Sequence, residues 1–285
     1  MTTSEHSSPA PLVVGSGPAV VLAHGAGSDV RDSYGPVLDE LARRHTVIGP
    51  DYPGSGDTPL PDAPLSLDAL ADHVVAAGIR AGATTFAVSG FSMGTTVAVR
   101  AAVRHPDRVT ALVLSSGFAR PNARLRMLID VWRALGRTED SRTLAAYLSL
   151  VVGGASWLDQ RTPEELEEQL VLFAAGLPPG TDEQLALFDT IDVTADLPAI
   201  KVPTLVVSPL EDILTTPAHS RELADGIPGA ELATLDCGHA IAAERPAQWA
   251  ALITDFLTRT GTTVSGDTPV TASVADAPAA APPAR

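Results

Sequence analysis

The stretch Gly90-Phe91-Ser92-Met93-Gly94 decides the fold, because it joins two different patterns of sequence. A short apolar run, residues 85–89, precedes it, and an amphipathic pattern follows and ends at His105-Pro106, where proline breaks a helix. A G-x-S-x-G pattern between a strand and a helix is typical of a nucleophile elbow, a sharp turn that exposes the serine hydroxyl. A side chain two positions before or after the serine would collide with the neighbouring backbone. We therefore predict that Ser92 is a nucleophile above a helix N-terminus.

Similar apolar runs of four to six residues recur along the chain and alternate with amphipathic patterns. The runs are rich in Val, Leu and Ile and lie at residues 19–23, 46–49, 111–115, 204–208 and 231–235. Helical spacing of apolar residues is found at 34–44, 67–81, 93–104 and 246–258. Runs that are apolar on both faces suit parallel strands covered by helices. The alternation predicts an α/β protein with a doubly wound, mostly parallel sheet.

Residues 118–196 interrupt this alternation, since they carry helical patterns at 125–135, 142–152, 163–175 and 182–190 and no strand signal. We predict that this stretch is an all-helical lid inserted into an α/β core formed by residues 12–117 and 197–260. Residues 1–11 are polar and are expected to be flexible. Residues 261–285 are rich in Thr, Ser, Pro and Ala without apolar periodicity, and are expected to form a disordered tail.

Composition excludes several classes of function. The chain has 285 residues and a formal charge of −15, so a phosphate backbone would repel it and nucleic-acid binding is not expected. A single cysteine, Cys237, excludes an internal disulfide framework and a Cys-rich zinc site. No apolar run approaches the roughly 20 residues that span a bilayer, so no membrane association is expected. The first ten residues lack a signal-peptide pattern, and a cytoplasmic protein is the default expectation.

A serine nucleophile needs a base, and the base needs an acid that orients it. His239 follows the last apolar run and precedes the last helical pattern, as a general base in a loop should. Asp212 lies four residues beyond the run at 204–208 and is the expected acid, with its neighbour Glu211 as the alternative. The order Ser92, Asp212, His239 along the chain is that of one particular triad architecture.

Acyl transfer also needs donors for the oxyanion that develops on the substrate. The N–H of Met93, directly after the nucleophile, is one candidate. The second should come from the loop His24-Gly25-Ala26-Gly27, whose small residues let backbone N–H groups face a pocket. Ala26 is the predicted donor of that loop, although an ordinary glycine turn would look the same in sequence.

Several further motifs in matching order resemble the α/β-hydrolase superfamily, over nearly all of residues 18–257. They are Asp51-Tyr-Pro-Gly-Ser-Gly-Asp-Thr58, His105-Pro-Asp-Arg-Val109, Val202-Pro-Thr-Leu-Val206 and Gly238-His239 followed by Glu244-Arg-Pro246. The GFSMG elbow is similar to that of the esterase and cofactor-free haloperoxidase branch. Two positions depart from the pattern: Pro209 stands where relatives usually have glycine, and Cys237 lies two residues from the base.

The resemblance and the triad together predict a serine hydrolase that cleaves an ester, thioester or related carbonyl of a small-molecule acyl substrate. No metal or cofactor is expected. A perhydrolase, or a lyase- or cyclase-like biosynthetic enzyme, would use the same residues, and a non-catalytic ligand-binding protein is a third possibility. The sequence does not specify the acyl group or the oligomeric state.

The predicted lid is locally basic, with six arginines and three acids between residues 120 and 142. These arginines would either steer an anionic substrate or pair with acids on solvated helix faces, and the second interpretation is favoured. They are Arg120, Arg124, Arg126, Arg133, Arg137 and Arg142.

Overall fold

Seven strands form one sheet in the computed structural model, which describes residues 9–261. The strands are β1 (Leu12–Val14), β2 (Ala19–Ala23), β3 (Thr46–Gly49), β4 (Phe86–Phe91), β5 (Val109–Ser115), β6 (Thr204–Pro209) and β7 (Glu231–Leu235). Their order across the sheet is β1-β3-β2-β4-β5-β6-β7. All neighbouring pairs are parallel except β1 and β3, which are antiparallel. The predicted mostly parallel, doubly wound α/β sheet is therefore confirmed.

Eleven α-helices lie in the described part of the chain. They are α1 (Val30–Ala42), α2 (Leu67–Arg80), α3 (Gly94–Arg104), α4 (Ala123–Gly136), α5 (Ser141–Val152), α6 (Ala155–Leu158), α7 (Pro163–Ala174), α8 (Thr181–Ala186), α9 (Pro217–Gly226), α10 (Ile241–Glu244) and α11 (Pro246–Arg259). Short 3₁₀ turns add Leu187–Asp189 and Leu197–Ala199. The pattern predicted as one helix at 182–190 is thus α8 followed by a 3₁₀ turn.

Helices cover both faces of the sheet, which explains why its central strands are mostly apolar. On one face, the buried side chains of α1 and α11, including Leu41 and Trp249, pack on β2 and β5 in one cluster. On the other face, α2 and α3 contribute Val74 and Val97 to a second cluster. Alternate residues of each strand enter the two clusters, because successive side chains of a strand point to opposite faces.

The six parallel strands place their carboxyl ends at one edge of the sheet, and the predicted site residues follow those ends. The loop after β2 contains Ala26, the turn after β4 contains Ser92, and the loops after β6 and β7 contain Asp212 and His239. A parallel sheet therefore gathers residues that are more than two hundred positions apart in sequence.

The stretch between β5 and β6 contains helices and no strand in the described structure, as predicted. We call this stretch, residues 116–203, the helical segment. Its helix α4 buries Leu125, Ile129 and Trp132, whereas α7 buries no residue. Helix α7 begins with a capping box, in which Thr162 and Glu165 satisfy each other's backbone N–H groups.

One difference from the sequence prediction, together with two predictions that the structure does not test, concerns the chain ends. Strand β1 was not predicted, because three half-buried residues at the sheet edge give too short a pattern. The prediction of a flexible N-terminus falls on residues 1–11 and that of a disordered tail on 261–285, and residues 1–8 and 262–285 lie outside the described structure. Among the helices of residues 9–261, none has the length and apolar composition required to cross a membrane.

Candidate active site

Ser92 lies at the tip of the turn between β4 and α3 with a left-handed backbone, at a φ of 55°. This conformation is costly for a residue with a Cβ, and such strain is found mainly at functional sites. A Cβ added to Gly94 would overlap the carbonyl oxygen of Ala23, and one added to Gly90 would overlap that of Gly94. The two glycines thus allow the sharp turn, for the steric reason that the sequence analysis gave.

His239 connects Ser92 to Asp212. Its Nε2 lies 3.0 Å from Ser92 Oγ, and its Nδ1 lies 2.7 Å from Asp212 Oδ2. All three residues are at least 92% buried. Because the Asp212 carboxylate can only accept, Nδ1 carries a proton and Nε2 is free to accept the serine proton. The arrangement can make a serine hydroxyl nucleophilic.

The Asp212 carboxylate is held by its own loop. Oδ1 accepts hydrogen bonds from the backbone N–H groups of Leu214 and Thr215, each at 2.8 Å. The Thr215 hydroxyl lies 2.8 Å from Oδ2 and 2.7 Å from the carbonyl oxygen of Ser116. These contacts fix the oxygen that faces His239.

The side chain of the alternative acid, Glu211, does not face His239. Its carboxylate accepts hydrogen bonds from the N–H and the hydroxyl of Ser156, in the helical segment. These bonds keep the pKa of Glu211 below its usual value. The geometry therefore places Asp212, and not Glu211, next to the histidine.

Of the three backbone N–H groups at residues 25–27, that of Ala26 has no protein acceptor in the part of the chain that the structure describes. The N–H of Gly25 donates to Ser33 Oγ at 3.2 Å, and the N–H of Gly27 donates to Gln184 Oε1 at 2.9 Å. Within residues 9–261, the N–H groups of Ala26 and Met93 donate to no protein acceptor. The two predicted oxyanion donors are thus available for a ligand.

A cavity of about 590 Å³ lies above Ser92 and His239. Nine of its described lining residues are large apolar side chains of the helical segment, namely Leu125, Ile129, Trp132, Leu148, Val152, Leu172, Phe173, Leu177 and Phe188. Asp29 and Asp32 also line it, and none of its lining residues in the described structure is Lys or Arg. The cavity therefore suits an apolar group that carries no negative charge.

The arginines of the helical segment face other groups. Arg133 and Arg137 pair with Asp182, and Arg142 forms a two-pronged pair with Glu167. None of the six arginines lines the cavity above Ser92. Pairing with acids on helix surfaces, the favoured interpretation of the sequence, agrees with these contacts.

Cys237 is a buried packing residue next to the site. It lies in the same apolar cluster as Leu41 and Trp249 and is 1% exposed. Burial, the largest effect, raises the pKa of its thiol to about 12, so the reactive thiolate is not formed near neutral pH. In residues 9–261, no group of three or more His, Cys, Asp or Glu side chains is arranged to hold a metal ion.

Three contacts near the site were not predicted from the sequence. Thr215 supports the Asp212 carboxylate. The only sequence feature that indicates this contact is a hydroxyl residue three positions after an acid. Gln184 bonds to the Gly27 N–H, and Glu244 accepts the N–H groups of Gly154 and Gly238, each at 2.9 Å. The last two depend on how the helical segment packs on the core, which local sequence does not encode.

The comparisons with known proteins identify the family of the chain. A family model described as the alpha/beta hydrolase family matches residues 20–252. The chain is 29% identical over 245 residues to the pyrrolizixenacetamide deacetylase of Xenorhabdus hominickii, covering 85% of this chain and 92% of that protein. It is also 29% identical to the pimeloyl-[acyl-carrier protein] methyl ester esterase of Neisseria meningitidis, covering 84% and 76%. The enol-lactonase structure from Burkholderia xenovorans LB400 superimposes with a TM-score of 0.78 and 27% identity, covering 87% and 95%.

Proposed function

Because the chain belongs to the alpha/beta hydrolase family, we propose that it hydrolyses small esters or related acyl compounds through Ser92, His239 and Asp212. The observation that carries this proposal is the hydrogen-bonded chain from Ser92 Oγ through His239 to Asp212, at 3.0 and 2.7 Å. The relatives named as a deacetylase, a methyl ester esterase and an enol-lactonase support cleavage of a carbonyl compound.

Ser92 starts the reaction. As its Oγ attacks the carbonyl carbon, His239 Nε2 takes the hydroxyl proton and Asp212 stabilises the imidazolium. The bond to the leaving group then breaks, and His239 delivers the proton to the departing oxygen. A water molecule attacks the acyl-serine with its proton passing to His239, which returns it to Ser92 as the carboxylic acid leaves.

The N–H groups of Ala26 and Met93 hold the oxygen that becomes negative in the tetrahedral intermediate. Within residues 9–261 both lack a protein acceptor; Met93 directly follows Ser92 in sequence, and Ala26 and Ser92 line the same cavity. Removing one such donor typically costs about 10² to 10³ in rate. The reaction needs no metal or cofactor, since base, acid and oxyanion donors are all supplied by the chain.

The substrate carries no negative charge, and its acyl part is apolar. The helical segment lines the cavity with aliphatic and aromatic side chains, and the charges there are the two carboxylates of Asp29 and Asp32. An anionic group would meet repulsion without a compensating cation in this partly dry site. The helical segment acts as a lid, because its side chains form the wall opposite Ser92.

A fluorophosphonate probe tests the proposal directly, since it reacts with activated serines. We expect labelling of the wild-type protein at Ser92, located by peptide mass spectrometry, and loss of labelling in Ser92→Ala. Ser28→Ala is the matched control, because Ser28 lines the same cavity without contacting His239. Labelling that persists in Ser92→Ala, or folded wild-type protein that takes no label, would contradict the proposal and favour ligand binding without turnover.

A further inference from the structure

We propose that Gln184 is a positioning residue for the reaction: its side-chain amide, brought by α8, holds the loop at residues 25–28 so that the Ala26 N–H remains directed at the acyl oxygen. The inference rests on the proposed function, since it concerns the oxyanion of that reaction. It assigns to the helical segment a part in catalysis besides that of lining the cavity.

Gln184 is fully buried and makes three contacts with the core. Its Oε1 accepts the hydrogen bond of the Gly27 N–H at 2.9 Å. Its Nε2 donates to Ser55 Oγ at 2.9 Å and lies 3.4 Å from the carbonyl oxygen of Pro53. The amide therefore bridges two loops of the core, the one after β2 and the one after β3.

The direction of each bond in this network is fixed by chemistry. The Gly27 N–H can only donate, so the amide oxygen must face it. Ser55 gives its one hydroxyl proton to the carbonyl oxygen of Ser28, at 2.7 Å, so it must accept from the Gln184 amide nitrogen. A buried network in which every member is satisfied holds one arrangement, and the removal of one member leaves its partners unpaired.

The network holds the loop by hydrogen bonds on both sides of Ala26. Before it, the Gly25 N–H donates to Ser33 Oγ, and after it the Gly27 N–H donates to Gln184. Gly27 has a left-handed φ of 64°, and the Trp132 ring of α4 lies against it. Without Gln184, the Gly27 N–H would have no acceptor, and the peptide that precedes it could rotate to find one. The Ala26 N–H belongs to the peptide unit before that one, so the accompanying rearrangement of the loop backbone would displace it from the position that faces the substrate.

Gln184→Met tests this role, because methionine keeps the length and volume of the side chain and removes the hydrogen bonds of the amide. The matched control is Asp182→Asn on the same helix, which breaks the exposed pairs with Arg133 and Arg137 and leaves the Gln184 network intact. Three quantities are measured in each protein. They are kcat and KM with a neutral para-nitrophenyl ester, the affinity for an alkyl boronic acid, and deuterium uptake of the peptide that contains residues 25–28.

We expect kcat of Gln184→Met to fall about 10- to 100-fold, as for a misplaced oxyanion donor, with KM changed less than about threefold. A boronic acid forms a tetrahedral anion on the serine, so its affinity should fall in parallel with kcat. The loop peptide should exchange faster. Asp182→Asn should match the wild-type protein in all three measurements.

A folded Gln184→Met protein with wild-type kcat would overturn the inference, as would a lower kcat with unchanged boronic acid affinity, which indicates a structural role only. If Gln184→Met does not fold, Ser55→Ala replaces it, with a smaller parallel loss of kcat and boronic acid affinity expected and unchanged values contradicting the inference. Failure of the proposed function is recognised separately, because wild-type protein would then neither hydrolyse the ester nor bind the boronic acid. The exchange of the loop peptide would still decide whether Gln184 holds the loop.

Discussion

His24 and His239 both follow strands at the same edge of the sheet, yet their surroundings give them different roles. Within residues 9–261, the hydrogen-bond partners of the His24 ring are backbone groups: Nδ1 donates to the carbonyl oxygen of Gly25 at 2.8 Å, and Nε2 accepts the Tyr52 N–H at 2.9 Å. Among the described residues, His239 contacts the side chains of Asp212, Thr215 and Ser92, and the Ser92 hydroxyl faces Nε2, which can take its proton. Proton transfer therefore belongs to His239, while His24 joins the loop after β2 to the loop after β3.

The burial of His24 makes stability depend on pH. Burial, opposed by the bond to Gly25 and by the charge of Asp29, lowers the pKa of His24 from 6.5 to about 4. The folded state thus favours the neutral imidazole. The contribution of His24 to the free energy of unfolding is therefore complete above the unfolded pKa and is lost as the pH falls from 6.5 towards 4. This one group should remove about 2 kcal/mol of the free energy of unfolding between pH 7.5 and pH 5.

Urea unfolding of the wild-type protein and of His24→Gln at the two pH values measures this contribution. Burial also lowers the pKa of His45, His73 and His219, and these residues act equally in both proteins. The wild-type protein should therefore lose more stability on acidification than the variant does. Equal losses in the two proteins would show that His24 is not held neutral.

At the scale of elements, helix α7 forms part of the cavity wall although it packs little against the rest of the protein. None of its residues is buried, and Val171 and Leu172 are 59% and 74% exposed. Leu172 and Phe173 nevertheless line the cavity above Ser92. Elements with few buried contacts open locally at a small fraction of the global free energy of unfolding.

We therefore expect α7 to exchange its backbone amides with deuterium faster than α4, which buries Leu125, Ile129 and Trp132. Binding of an alkyl boronic acid in the cavity should slow exchange in α7 more than in α4, because the ligand adds apolar contacts to Leu172 and Phe173. Hydrogen-exchange mass spectrometry of the free and bound protein measures both effects. Equal protection of the two helices in the free protein would contradict this account.

The elements show how far sequence reasoning extends. Strands such as β2 and β3 were predicted with their observed bounds, because a buried parallel strand is a short apolar run that ends in turn residues. Ser92, His239 and Asp212 were found because each lies in a local motif after such a run. The antiparallel β1 was missed because its edge position requires few apolar residues. The bond from Gln184 to Gly27 was missed because it joins residues 157 positions apart through packing.

At the scale of the whole molecule, charge should select among substrates. The chain carries a formal charge of −15, and Asp29 and Asp32 place part of it in the cavity wall. A negatively charged ester is repelled both on approach and when bound. We expect kcat/KM for mono-para-nitrophenyl succinate to be at least about tenfold below that for para-nitrophenyl butyrate at low salt.

The ratio of the two kcat/KM values should narrow when salt is raised to about 0.5 M, which screens the charges. The ratio should also be smaller in Asp32→Asn than in the wild-type protein. Asp39→Asn is the matched control, because it removes the same charge from α1 at an exposed position that does not line the cavity. If the ratio of the two kcat/KM values changes neither with salt nor in Asp32→Asn, the cavity does not select substrates by charge.

The buried thiol of Cys237 has a practical consequence for following the molecule in solution. Cys237 is the single cysteine of the sequence, and with a pKa of about 12 and 1% exposure it will not react with maleimide dyes in the folded state. The wild-type chain therefore behaves as a cysteine-free background. A cysteine introduced at an exposed site, such as Leu172→Cys on α7, would carry one fluorophore without prior removal of the native residue. Movement of the cavity wall would then be followed as a change in the fluorescence of that dye.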